Sequence, residues 1–232
     1  KVSASGGTAQ RLTTHLERER FPVFSPDGST IAFTASYEGP TEIYIMSITG
    51  GKPVRLTYEG ISGSRGPRPV SWKSSSELIY ATWFFARRDA HQLAVIDVES
   101  GTRNVIPLAQ ASAGEFGPDG ETLYFTRLPR QRSFAKRYKG GLIENLWSYK
   151  MGAEEAVPLT ADYEGTSRAP MVWQKRLYFA TDRDGTMNLW SMDLEGKDLK
   201  QHTRFSGWDV LSPSMHEGRI VFQNRADLWI YD

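Results

Sequence analysis

Arginine is the side chain with which this sequence is best equipped to do chemistry. The stretch Arg127 to Gly141, RLPRQRSFAKRYKGG, holds six basic residues, Arg130, Arg132 and Arg137 among them, and no acid. Arg65 with Arg68, and Arg87 with Arg88, form two shorter groups upstream. A guanidinium offers a planar fork of donors that matches a carboxylate, so converging arginines are suited to hold an acidic group. Taken singly, each is equally consistent with a solvated loop. The whole chain of 232 residues is nearly neutral, +1 from 28 basic and 27 acidic residues. It therefore carries no general attraction to nucleic acid or to a membrane surface.

Other chemistries find less support. The histidines His15, His91, His202 and His216 fall in separate segments, without metal-site spacing and without an adjoining nucleophile motif. No G-x-S-x-G and no H-E-x-x-H occurs, so no catalytic residue, metal or cofactor is assigned. Asp182-Arg183-Asp184-Gly185 opens like a calcium loop but lacks the closing glutamate of a twelve-residue span, and reads as a hairpin turn. Cysteine is absent, which excludes disulfides and thiolate chemistry and leaves the compartment, exported or cytoplasmic, open. No apolar run approaches the ~20 residues of a membrane-spanning helix.

The elements that must position the arginines come from a repeat. Phe21 to Thr57 reads as four short strands joined by three turns, and weaker copies follow. The third strand of each copy contains an apolar step: Ile43-Tyr44, Leu93-Ala94, Leu146-Trp147, Leu189-Trp190 and Leu228-Trp229, separated by 50, 53, 43 and 39 residues. Adjacent strand residues face opposite ways, so a strand apolar at both is covered on both faces. Four-stranded units at this period, buried on both sides, predict an all-β fold, a β-propeller of antiparallel blades. Trp147, Trp190 and Trp229 are expected to be mostly buried between blades.

Tight turns at Ser25-Pro26-Asp27-Gly28 and Gly117-Pro118-Asp119-Gly120 agree with this. The fourth strands are read at Arg11-Leu12-Thr13, Arg55-Leu56-Thr57, Ile106-Pro107-Leu108, Pro158-Leu159-Thr160 and His202-Thr203. Residues 1–232 then form one domain, in pieces of about 1–13, 14–57, 58–108, 109–160, 161–203 and 204–232. This is about five blades' worth, opening and closing inside a blade, as expected of a segment of a longer polypeptide. If the segment closes on itself, Ala9–Thr13 pairs beside Asp227–Tyr231. In a four-stranded meander alternate connections share a face. All the long ones, including 58–69, 86–91 and 127–141, fall on one face, where binding is expected.

With the repeat laid out, FSPDGSTIAF and TGGKPVRLT resemble the blades of TolB-type propellers, the PD40 repeats. Arg137-Tyr138-Lys139-Gly140-Gly141, then Leu146-Trp147, then Asp193 to Thr203 (DLEGKDLKQHT) resemble the N-terminal propeller of tricorn protease and its relatives. That resemblance extends over essentially the whole chain. It implies a parent serine peptidase with a second propeller, a PDZ-like domain and a catalytic domain, assembling as a homo-oligomer. The segment would be most of a six-bladed propeller that guides peptides. In that family an arginine pair after the second blade's last strand holds the substrate's C-terminal carboxylate. The matching loop here offers Arg65 and Arg68, separated by Gly66-Pro67 where the family has adjacent arginines. Two readings compete with a peptide gate: a TolB-like protein-interaction propeller without peptidase activity, and a stand-alone carbohydrate- or peptide-binding module.

Overall fold

The computed structural model describes residues 1–61, 65–85, 90–128 and 138–232. Among them the regular elements are all strands, arranged as five antiparallel meanders in chain order. Blade 1 holds β1 (Arg20–Phe24), β2 (Thr30–Ala35), β3 (Glu42–Ser47) and β4 (Val54–Arg55). Blade 2 holds β5 (Arg68–Trp72), β6 (Glu77–Thr82), β7 (Gln92–Asp97) and β8 (Arg103–Val105). Blade 3 holds β9 (Ala113–Phe116), β10 (Thr122–Thr126), β11 (Leu146–Lys150) and β12 (Val157–Pro158). Blade 4 holds β13 (Ser167–Trp173), β14 (Arg176–Thr181), β15 (Asn188–Asp193) and β16 (Lys200–Gln201). Blade 5 has three strands, β17 (Leu211–His216), β18 (Arg219–Asn224) and β19 (Asp227–Tyr231). This is the expected all-β propeller architecture.

The chain divides into two compact units, residues 1–109 with blades 1 and 2, and residues 110–232 with blades 3 to 5. In the first unit, Ala32 and Ile43 of blade 1 pack on Leu78, Tyr80, Ala94 and Ile96 of blade 2. In the second, Tyr124 and Leu146 meet Leu177, Phe179 and Met192, while Met171 and Leu189 meet Ile220 and Phe222. The apolar step in each third strand explains these junctions. Its first residue, Ile43, Leu93, Leu146 or Leu189, has no exposed surface in blades 1 to 4. Its second residue turns to the opposite face, as a period of two requires.

Two of the three tryptophans meet the expectation: Trp147 and Trp190 are mostly buried, whereas Trp229 is 45% exposed. Leu146 and Leu189, just before the first two, have no exposed surface. Trp190 flanks the cluster around Leu146 and Phe179. Trp229 leans edge-on against Phe205, at 5.4 Å between ring centroids.

The fourth-strand signature starts on the strand and ends as a cap. Arg55 and Pro158 still pair with Tyr44 and Trp147, and the hydroxyls of Thr57, Thr160 and Thr203 then accept the amides of Ile43, Leu146 and Leu189 at 2.9, 3.0 and 2.8 Å. In blade 2 the equivalent stretch contains Pro107, which has no amide to pair, and β8 lies just ahead of it at Arg103–Val105. Arg11-Leu12-Thr13 is not a strand, and β19 pairs with β18 alone. The terminal ammonium of Lys1 instead donates to the Gln10 carbonyl at 2.6 Å. Leu12 is drawn onto the apolar face formed by Ile31, Phe33 and Met46.

Turns read from Asp-Gly hold as expected. Asp27 accepts from the Ser25 and Ser29 hydroxyls and the Ser29 amide, and Gly28 takes a φ of 68°. Those donors, the Ser25 hydroxyl foremost, hold the Asp27 carboxyl down at about 2. Asp184 and Gly185 lie in the hairpin between β14 and β15, where Asp184 binds Asn188 and Gln201.

Candidate functional site

The loop that enters blade 2 is built to hold an arginine in one place. Glu42, fully buried at the start of β3, accepts the Gly60 amide at 2.8 Å and the Thr57 hydroxyl, and pairs with Arg55 at 3.0 Å. Glu59, one residue before Gly60, accepts the Thr82 hydroxyl of blade 2 and lies 3.9 Å from Arg103. Burial pushes the Glu59 carboxyl up, and the Thr82 hydroxyl works against that rise. Two acids thus pin adjacent residues of one linker to two blades. Further on, the Thr34 hydroxyl of β2 donates to the Pro67 carbonyl at 3.2 Å. Gly66 presses on Thr41 so closely that a Cβ there would lie 2.5 Å from the Cβ of Thr41.

Arg68 emerges from this linker into a cleft of about 580 Å³ within the first unit. Arg18, Arg20, Phe21, Thr41 and His91 share its walls, and Glu17 is its acid. Neither Arg18 nor Arg20 is paired with an acid among the described residues. The Arg68 guanidinium lies 5.7 Å from the Phe21 ring centre. Arg65, exposed, sits 5.3 Å over the Trp83 ring, which in turn meets the His91 ring at 4.5 Å. Arg68 therefore lines the cleft, and Arg65 backs it through Trp83 and His91. Arg87, Arg88, Arg130, Arg132 and Arg137 lie outside the described residues.

Arg18, Arg20 and His91 were missed as partners of Arg68, although a signal for Arg20 exists in the blade phase. Arg20 pairs with Thr34, just after the buried Phe33, and Arg68 with Ala81, just after the buried Tyr80. Arg168 holds the same register in blade 4, opposite Ala180 and after Phe179, and there lies 3.7 Å from Glu144. A β-bulge follows this position in blades 1 and 4, with Phe21 and Ala169 in the left-handed region at φ of 55° and 54°. Pro22 and Pro170 come next. A bulge is a place where a proline breaks no ladder bond, and it re-aims neighbouring side chains.

The cleft is suited to a planar anion, because three arginines and one glutamate, Glu17, line it. A serine and a histidine do meet elsewhere, Ser191 Oγ with His202 Nε2 at 2.7 Å, and His202 Nδ1 with Tyr231 OH at 2.7 Å. Ser191 has no exposed surface and also accepts from Arg176 at 3.0 Å. Burial, with Arg176 and Lys200 nearby, holds the imidazole below its ordinary value. The pair is a strut between blades 4 and 5.

A family model described as the tricorn protease N-terminal beta propeller domain matches residues 1–232. A tricorn protease homolog of Saccharolobus solfataricus is 31% identical over 230 residues, covering 96% of this chain and 20% of its own. A crystal structure of the tricorn protease superposes with a TM-score of 0.82 at 25% identity, over 98% of this chain and 22% of that chain. TolB from Acinetobacter baumannii, with a TM-score of 0.68 at 13% identity over 97% of this chain and 56% of that one, shares the fold alone. The chain spans about one-fifth of the length of the curated relatives it matches. With a match running its full length, this chain belongs to the tricorn protease N-terminal β-propeller family.

Proposed function

We propose that residues 1–232 are a non-catalytic propeller domain of a tricorn-like serine peptidase, where they gate and orient peptides for cleavage into short products. The observation that carries this is the basic cleft, lined by Arg68, Arg20 and Arg18, in a chain whose relatives are named as proteases. Its ligand is the C-terminal carboxylate of a peptide. Arg68 and Arg20 supply forked donors, and Arg65 reinforces the field from behind Trp83. The pinning of the linker by Glu42 and Glu59 supports this reading, because a recognition group must be held before its ligand arrives. The rest of the full-length protein, namely a second propeller, a PDZ-like domain and a catalytic domain, supplies the chemistry, and the assembly is a homo-oligomer.

The test is cleavage or binding of peptides with free and with amidated C-termini by the full-length protein, in wild type and in Arg65→Ala/Arg68→Ala. A hydrogen bond to a charged group contributes about 1.5–3 kcal/mol, so the double variant should lose roughly ten- to a hundredfold of its preference for the free end. Unchanged discrimination sinks the carboxylate reading and favours a TolB-like interaction propeller.

A further inference from the structure

A second cavity lies within the other unit, about 470 Å³ in volume, a size typical of sites that enclose small ligands. Its walls include Gln110, Arg127, Leu142, Ile143, Asn145 and Trp147. The informative residue is Asn145. In every four-stranded blade the residue before the buried apolar step is polar: Glu42, Gln92, Asn145 and Asn188. In three of them it reaches round to the chain leaving the fourth strand. Glu42 accepts the Gly60 amide at 2.8 Å. Gln92 donates to the Leu108 carbonyl at 3.2 Å. Asn188 donates to the Phe205 carbonyl at 3.0 Å and accepts the Phe205 amide at 2.8 Å. Asn145 departs from this pattern. It lines the cavity, and its Oδ1 is buried without a hydrogen-bond donor among the described residues. A buried amide oxygen left unsatisfied carries a desolvation penalty that a ligand N–H would remove.

The opposite need is met on the same walls. Arg127 is oriented by Gln110 Oε1 at 3.1 Å and lies 5.4 Å from the Trp147 ring centre, so its other N–H groups are held ready for an acceptor. Leu142, 51% exposed, with Ile143 and the Trp147 indole, gives the cavity an apolar surface. An oxygen seeking a donor and a guanidinium seeking an acceptor match the alternating N–H and C=O of an extended main chain. The apolar surface takes one of that chain's side chains. We infer that this cavity is a peptide-binding subsite for an uncharged internal segment carrying an apolar residue. Asn145 reads a main-chain N–H, Arg127 a carbonyl, and Trp147 the side chain. The inference does not depend on the arginine cleft, which lies in the first unit and reads a chain end.

The experiment uses the full-length protein and two probes, N-acetyl-Leu-Ala-methylamide and its analogue with the central amide replaced by an ester. Ligand-observed NMR titration gives both dissociation constants. Wild type should bind the amide roughly tenfold more tightly than the ester, the value of one hydrogen bond. Asn145→Leu should weaken the amide probe by a similar factor and erase the difference, and Trp147→Ala should weaken both probes. Neither probe has a free carboxylate for the arginine cleft, so failure here is separable from failure of the carboxylate reading. Equal binding of amide and ester by wild type overturns the subsite whether or not the variants fold. So does binding of maltotriose or cellotriose in place of the peptide.

Discussion

Replacing Glu115 by glutamine should stabilise the junction between blades 3 and 4, and only above a defined pH. Glu115 lies on β9, and its carboxylate accepts the Val172 amide of β13 at 3.0 Å. No cation pairs with it among the described residues, and Tyr124 faces it across the ladder. Burial raises its carboxyl from 4.5 to about 7, with the Val172 amide pulling the other way. The folded state therefore holds the proton more tightly than the unfolded chain does. Below about pH 4.5 both states are protonated and the residue costs nothing. Between 4.5 and 7 the unfolded chain loses its proton first, and stability falls as pH rises. Above 7 the loss is complete. At about 1.4 kcal/mol for each pH unit between the two values, it amounts to about 3 kcal/mol.

Glutamine keeps an oxygen for the Val172 amide and has no charge to bury. Native-state hydrogen exchange of the full-length protein isolates this junction, read on peptides covering 113–116 and 167–173. At pH 8 the variant should protect these segments on the order of a hundredfold better than wild type, and at pH 4.5 the two should coincide. A protection ratio that stays constant from pH 4.5 to 8.5 would refute the reasoning, since it would mean that Glu115 ionises as freely in the fold as in the unfolded chain.

Gly66→Ala forces the linker off Thr41 and should lower the preference for free over amidated peptide ends while circular dichroism stays that of wild type. Full retention of the preference would mean that the linker's seat does not set Arg68. Thr160→Val removes the hydroxyl that accepts the Leu146 amide and should cost about 1–3 kcal/mol. Faster exchange of the Leu146 amide is the readout, and unchanged exchange would show that water replaces the cap.

Much of the fold was legible because its punctuation is chemical. Asp27-Gly28 and Asp119-Gly120 can hardly be anything but tight turns, and the leucines of the third strands fall where a doubly covered sheet needs them. The errors share one cause, which is reading side-chain type without its neighbours. Tryptophan looks like core, yet Trp229 is 45% exposed. Arg-Leu-Thr looks like a strand throughout, yet its threonine is a cap, and residues 11–13 form no strand. The cleft was harder still. Arg20 and Arg68 are 48 residues apart and meet only through the register of two separate strands. His91 gave no sign in the sequence, because its place at the cleft goes with a tilted ring contact with Trp83 that no spacing announces.

The threonine caps bear on how such a chain can change by descent. Thr57, Thr160 and Thr203 each satisfy a buried amide of their own blade, so what a blade offers its neighbour is mostly hydrocarbon. Surfaces of that kind accept many partners, and a blade so equipped can be duplicated, deleted or exchanged without a matching change next door. Directed polar contacts across a junction have the opposite effect. Glu115 reaching the Val172 amide and Thr34 reaching the Pro67 carbonyl work only with a particular neighbour. They act as address labels that keep the copies in sequence after duplication has made them alike.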